Sequence, residues 1–471
     1  MRRALRMVTL AWVFGAVWQA ATAGAPLTLF ARHLGAGPFE FGVLAALPFL
    51  ASLLSLPASL LTERTGNRKG VFLLGLYPNR LLWFAIALVP LWVVGRYGMG
   101  PALAAFIGLT FLMHCGQSAG SPAWVGWMAD VVPERVRGKY FSRRRQWGIL
   151  SAVPTALLVG WVLDRSAAGH GWPVPITCAA IFMVAAVAGT VDIALFHAVP
   201  EPHKPPRDGW ALLRAMRAPL RDRQFLWFAG FVATLVFAVS FMGQFVTLYA
   251  IERAQFDNRT VQFMLLTAPL LAQLLVLPAW GRAVDRMGKK PVMKISALGF
   301  APLALGWMFL HAGNVWYGYL LSAVGAALWA GVEIANFNFV IGMSGSGDGS
   351  DGETRGTSYA AVNAVIVNVA GCAGGLVGGG IAELLKGWSW QPLAAARAFT
   401  YYDVLFVLSF ALRLLAAVVF LPHLHEPTAK PARETIKFMT SNIYNNLYHA
   451  VLQPVRLVRG RLRGAESEQG I

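Results

Sequence analysis

Apolar residues in this chain fall in long unbroken runs, with polar residues collected between them. Twelve runs approach or exceed the roughly 20 residues that a helix needs to cross a bilayer. In the first part they cover about 7–31, 40–61, 71–95, 101–130, 146–164 and 174–199; in the second, about 225–250, 260–280, 291–311, 315–342, 357–385 and 400–421. Several contain Pro or Gly, which membrane helices tolerate because neighbouring groups satisfy the freed backbone. Two polar stretches are longer than a turn: a linker at 200–224 and a tail at 422–471. The linker opens on Pro200-Glu201-Pro202 and continues with Arg214, Arg217, Arg221 and Arg223, predicting a turn and then an amphipathic helix on the inner leaflet. In the tail, Ile436, Ile443, Leu447 and Val451 recur at helical spacing before Arg456, Arg459, Arg461 and Arg463. That pattern predicts a basic surface helix against anionic lipid.

Composition agrees with the run pattern. Of the 471 residues 56% are hydrophobic and 13% charged, against about 25% charged in a soluble domain. The net charge of +18 raises nucleic acid as a partner, but the basic residues lie between apolar runs and form no single face. Placing both termini in the cytoplasm puts 30 of the 40 Lys and Arg inside and seven outside, with Arg80, Lys294 and Arg413 in the spans. That asymmetry predicts a multi-pass membrane protein with both ends cytoplasmic. Arg2, Arg3 and Arg6 lead into the first run with no small-residue cleavage site, so an uncleaved first helix is expected. Cys115, Cys178 and Cys372 lie far apart in apolar segments and predict small core residues. No nucleophile–base pair or metal-ligand set stands out, so an enzyme, a cofactor and a metal are not expected.

The two parts repeat each other. Gly281-Arg282-Ala283-Val284-Asp285-Arg286-Met287-Gly288-Lys289-Lys290-Pro291 is a basic turn between apolar runs, and a weaker copy runs from Ser59 through Glu63, Arg64 and Gly66 to Lys69. Asp285 and Arg286 are placed to pair where a helix leaves the membrane, and Gly288 permits the reversal. Pro26-Leu27-Thr28-Leu29-Phe30-Ala31 echoes Phe245-Val246-Thr247-Leu248-Tyr249-Ala250, and Arg137-Gly138-Lys139-Tyr140-Phe141-Ser142 echoes Arg355-Gly356-Thr357-Ser358-Tyr359-Ala360. All three matches are offset by close to 220 residues. The turn G-x-x-x-D-R-x-G-K-K resembles the loop signature of the major facilitator superfamily of transporters, and the resemblance covers roughly residues 7–421. It implies an all-α membrane protein of twelve transmembrane helices in two pseudo-symmetric bundles, 1–199 and 225–421, around a central cavity. It also implies secondary transport of a small organic solute by alternating access. Glu63, Arg64, Gly281, Asp285, Arg286, Gly288 and Lys289 then belong to a cytoplasmic gate, with Asp130 and Arg137 at the exit of the fourth helix.

Charged and amide groups inside a span are costly and mark cavities or partners. Glu333 lies deep in the tenth run beside Asn336 and Asn338; His114 and Gln117 lie in the fourth, Gln19 in the first and Gln244 in the seventh. The resemblance implies that the first, fourth, seventh and tenth helices line the cavity, so these residues are candidates for solute binding or coupling. An isolated carboxylate in a low-dielectric cavity favours its protonated form, which suits Glu333 as carrier of a coupling proton. Arg80, Asp192 and Arg413 fall on helices expected to pack outside the cavity; Arg80 has the alternative of reaching an anionic solute. The eleventh run holds six Gly between Gly371 and Gly380, predicting close helix packing. Drug-antiporter and sugar-porter signatures are not met, so the solute is not identified. Expected partners are the solute, protons and anionic lipids at the basic loops and tail, with the protein a monomer that binds no nucleic acid. The alternative is a non-transporting receptor or scaffold of this fold acting through its basic tail.

Overall fold

A computed structural model describes residues 2–202, 216–344, 350–391, 397–427 and 429–441. Most of the expected linker helix, the centre of the acidic 344–353 loop and the tail beyond 441 lie outside these residues. Among the described residues twelve helices are long and apolar enough to cross a membrane: α1 (Arg3–Thr22), α2 (Pro38–Thr65), α3 (Arg68–Tyr97), α4 (Met99–Val131), α5 (Val136–Ala167), α6 (Val174–Ala198), α7 (Arg223–Glu252), α8 (Asn258–Met287), α9 (Lys289–Phe309), α10 (Ala312–Val340), α11 (Ser358–Leu384) and α12 (Tyr401–His423). They match the twelve apolar runs, with one informative shift. The α5 span begins ten residues before its apolar run, so Arg143, Arg144 and Arg145 sit within it and not in a loop.

Two glycines set the backbone where the chain must turn or approach itself. Gly288 joins α8 to α9 at φ 101°, a conformation open to glycine at little cost. Gly24 breaks the first helix at φ 76°, after which the short helix Ala25–His33 continues outward. The matching stretch of α7 runs on without interruption to Glu252, so the echo between Pro26–Ala31 and Phe245–Ala250 is one of sequence and not of backbone.

Within the first half α3 packs on α4, and α1 on α5 and α6; within the second, α7 packs on α11 and α12, and α8 and α9 on α10. The halves touch chiefly through α2 against α11 and α5 against α8. The apolar core divides accordingly. One buried cluster draws on both halves, from Phe30, Phe41, Trp83, Phe106 and Phe182 to Phe245, Tyr249, Met264 and Phe406. These residues lie at the ends of the helices remote from the start of α1 and the end of α12, here called the far face. Toward the opposite, terminal face there are two separate clusters. One holds Val8, Phe72, Trp127 and Phe196 of the first half, the other Phe228, Trp280, Phe339 and Leu421 of the second. Among the described residues the molecule is therefore joined across its middle at the far face and divided by a cleft at the terminal face.

Candidate functional site: a cleft between two helical bundles

The far-face closure is built from polar groups meeting backbone across the halves. Gln262 of α8 is fully buried and fills the break in the first helix: its Oε1 accepts from the Ala25 amide at 3.1 Å, and its Nε2 donates to the Ala23 carbonyl at 3.2 Å. Asp164 of α5 accepts from the first two amides of α8, Asn258 at 2.6 Å and Arg259 at 3.1 Å. An anion at a helix N-terminus satisfies unpaired amides and complements the helix dipole. Arg32 pairs with Glu252 at 2.9 Å. None of these groups stood out in the sequence, because each needs a partner more than 90 residues away.

At the terminal face each half is tied to itself. Glu201 accepts from the Arg68 and Lys69 amides at the start of α3 (2.6 and 3.0 Å), and Glu426 accepts from the Lys289 and Lys290 amides at the start of α9 (3.0 and 2.7 Å). The two carboxylates stand in equivalent places of the repeat, each capping a helix that begins with the basic turn. Arg68 also binds Asp130 at the end of α4, and Arg137 donates to the Ala129 carbonyl at 2.7 Å. The expected pairing of Asp285 with Arg286 is not formed. The Asp285 side chain is exposed, while the Arg286 guanidinium lies 5.6 Å from the Phe438 ring of the tail helix Ala432–Ser441. That helix also departs from expectation. Thr435, Phe438 and Met439 turn toward the second-half core and Ile436 is left exposed. Gly281 stands clear inside α8, Glu63 is half-buried near the end of α2 with Arg64 beside it, and Lys289 reaches to 5.9 Å from the Phe339 ring.

The cavity candidates are dispersed along the walls of the cleft. Glu333 is exposed on α10, so it is not the enclosed carboxylate expected; it accepts a hydrogen bond from Trp329, one turn earlier, at 2.8 Å. Gln19 is exposed on α1, and His114 and Gln244 are half-buried. Gln117 donates to Ser121 at 3.0 Å while its Oε1, like Oδ1 of Asn336, is buried without a partner. Among the described residues no hydrogen bond joins these side chains into one site.

Arg80 is placed differently from the solute contact weighed for it. It is buried, pairs with Asp192 of α6 at 3.1 Å, donates to Asn79 at 2.6 Å and lies 3.5 Å from the Trp18 ring centre. Its repeat counterpart is Phe300, and the counterpart of Asp192 is Arg413, whose guanidinium stacks 4.3 Å from the Phe300 ring and donates to the Phe300 carbonyl at 3.3 Å. The two halves thus use the same positions with different charge. A further cation, absent from the sequence-based candidates, lies between α1 and α4. Arg144 of α5 has its guanidinium carbon 4.4 Å from the Trp12 ring centre and 4.9 Å from that of Trp124. Next to it Arg145 donates across the halves to Gln273 of α8 at 3.3 Å.

Comparison with known proteins gives consistent results. The profile described as Major Facilitator Superfamily matches residues 7–375. No curated protein matches the sequence. Among solved structures, the nucleoside transporter NupG (D323A mutant) superposes with a TM-score of 0.64 at 14% identity, over 89% of this chain and 99% of that one. The D-xylose–proton symporter gives 0.61 at 15% identity, over 92% and 98%. The inward-open xylose transporter XylE from E. coli gives 0.59 at 16%, also over 92% and 98%. At these identities the likeness is one of fold.

Proposed function

The chain belongs to the Major Facilitator Superfamily and is a secondary transporter; we propose that it moves a small organic solute through the cleft by alternating access, with both termini in the cytoplasm. The observation that carries this reading is the unequal core: one apolar cluster shared by both halves at the far face, two separate clusters at the terminal face. A duplicated bundle joined at one end and parted at the other is one of the two states that rocking about a central site requires. The excess of Lys and Arg in the terminal-face loops assigns that face to the cytoplasm, so the present state is open inward. Asp285, exposed at the end of α8, is positioned to meet the first half when the cytoplasmic side closes.

Glu333 is assigned the coupling role. It is an exposed carboxylate within a span, where an ionisable group has functional consequences by default. The test uses protein reconstituted in proteoliposomes and a panel of metabolites, with and without a proton gradient. The expected result is counterflow of a solute by both forms, with uphill accumulation lost in Glu333→Gln. Uphill uptake unchanged in the variant removes the coupling role. Absence of flux for every solute removes the transport reading, and a tail-dependent scaffold, inactivated by truncation after residue 430, takes its place.

A further inference from the structure

We propose that the solute is a small organic anion whose carboxylate or phosphate group is bound by Arg144, between Trp12 and Trp124. The inference rests on the transport reading above and names the solute class for the same cleft.

Location comes first. The helices that meet the second half are α2 and α5. Between them α4 packs on α2, and α1 packs on α5, so α1 and α4 form the first-half wall of the cleft. Trp12 and Gln19 are seven residues apart, two turns along one stripe of α1. Gln117, Ser121 and Trp124 follow at spacings of four and three along one stripe of α4. Arg144 reaches from α5 into the gap between these stripes.

The second point is valence. A guanidinium presents five N–H donors in a planar fork, yet Arg144 makes no hydrogen bond with any described residue, and its Nε is buried without a partner. The Trp12 indole packs its N–H edge against Gly148 of the same helix α5, which fixes the ring beside Arg144. Two indole rings flank the guanidinium carbon at 4.4 and 4.9 Å, and no described residue takes its N–H donors. Stacking of this kind selects Arg over Lys and prepares it for bidentate contact with a carboxylate or phosphate.

The third point is charge. The nearby carboxylate, Asp192, is already held by Arg80 at 3.1 Å, with Asn79 completing that pair. Two guanidiniums therefore share one buried carboxylate. Arg144 is half-buried with no carboxylate of its own; a partly desolvated cation gains from a counter-ion, and a bound anion supplies it. A neutral solute would not. Glu333, on the second-half wall, has no contact with this cluster among the described residues.

The test is thermal unfolding of the purified transporter at fixed ionic strength with matched pairs: benzoate and benzamide, succinate and succinamide, glycerol phosphate and glycerol. A ligand of the folded state raises the melting temperature with its occupancy. At least one anion is expected to stabilise wild type where its neutral partner does not, and benzoate or succinate against glycerol phosphate separates the two head groups. Arg144→Gln should lose the response, and Arg143→Gln, at an exposed neighbouring position, should keep it. Arg144→Lys, which keeps the charge and loses the planar fork, should weaken binding by about tenfold; it serves as the readout where Arg144→Gln does not fold. Equal stabilisation by neutral partners, an anion response that survives Arg144→Gln, or no anion response in folded wild type overturns the proposal. Counterflow of a neutral solute that persists in Arg144→Gln also overturns it while leaving the transport reading standing. Absence of flux for charged and neutral solutes alike overturns both.

Discussion

At the scale of single residues, the interior is governed by which charges find partners. Arg80 and Asp192 are each almost completely buried and pair with each other, leaving Arg80 Nε without a partner, with Asn79 anchored in turn to the Met113 carbonyl at 2.8 Å. Removing one member of such a pair strands the other in an apolar setting, which costs about 3–5 kcal/mol, whereas replacing both by apolar groups is often close to neutral. Asp192→Asn is therefore expected to lower stability by about that amount, and Arg80→Met with Asp192→Leu to recover most of it. Denaturant unfolding in detergent checks this; a double variant no more stable than the single one would show that the pair is favourable in its own right. The pairing was out of reach of the sequence because its members lie 112 positions apart and Arg80, taken alone, is also a plausible solute contact. Arg144 was missed for another reason: its apolar run begins at residue 146, whereas the helix extends back past it. Polar residues at a helix end carry no periodic signal that separates a loop from a span entering the membrane.

At the scale of elements, the glycines of α11 divide into two stripes. Gly371, Gly375 and Gly379 face α2, where an added Cβ would meet the Phe49 ring at 2.4 Å, the Ala46 amide at 2.9 Å and the Gly42 Cα at 2.7 Å. Gly374 and Gly378 face α7, within 2.4 and 2.2 Å of the Phe237 and Phe241 carbonyls. Small residues four apart let membrane helices approach to backbone contact, so one helix serves both as a fixed member of its own bundle and as the hinge surface against the other. The helix count, the repeat and the close packing of α11 were all legible, since each rests on local composition. Which stripe faces which neighbour was not. Gly379→Ala places a methyl group against backbone that cannot rotate away, and overpacking of this kind costs about 1–3 kcal/mol. The cost falls on the closed far face alone, enough to move a two-state balance by about tenfold or more. A cysteine at Ala25, fully buried behind Gln262, reports it in a background lacking Cys115, Cys178 and Cys372. Labelling by a membrane-impermeant thiol reagent should be slow in the parent and faster with Gly379→Ala; equal rates would mean that the helix pair does not hold the far face shut.

At the scale of the whole molecule, two six-helix halves repeat their terminal-face bracing and break symmetry at the far face. Glu201 and Glu426 brace equivalent turns, tying each half to itself at the terminal face. Gln262 of the second half and Asp164 of the first, each bonded to backbone of the other half, define where the halves are joined. The sequence carries the duplication openly, but it encodes both states of the cleft at once and so cannot say which face is shut. The Arg32–Glu252 pair offers a handle on this. It is surface-exposed, so by itself it contributes no more than about 1 kcal/mol; closure comes from the helices behind it. A covalent bridge at the same place would be a different matter, since it denies the halves any separation. Cysteines at Arg32 and Glu252, joined by a short bifunctional thiol reagent, are therefore expected to abolish flux reversibly. Each single cysteine, labelled by the same reagent, should retain most of its flux. In the bridged protein a third cysteine replacing Asp285 should remain reachable from the terminal face, because that side is already parted. Flux that continues through the bridged protein would mean that the far face need not open, and alternating access about this cleft would be lost as the mechanism.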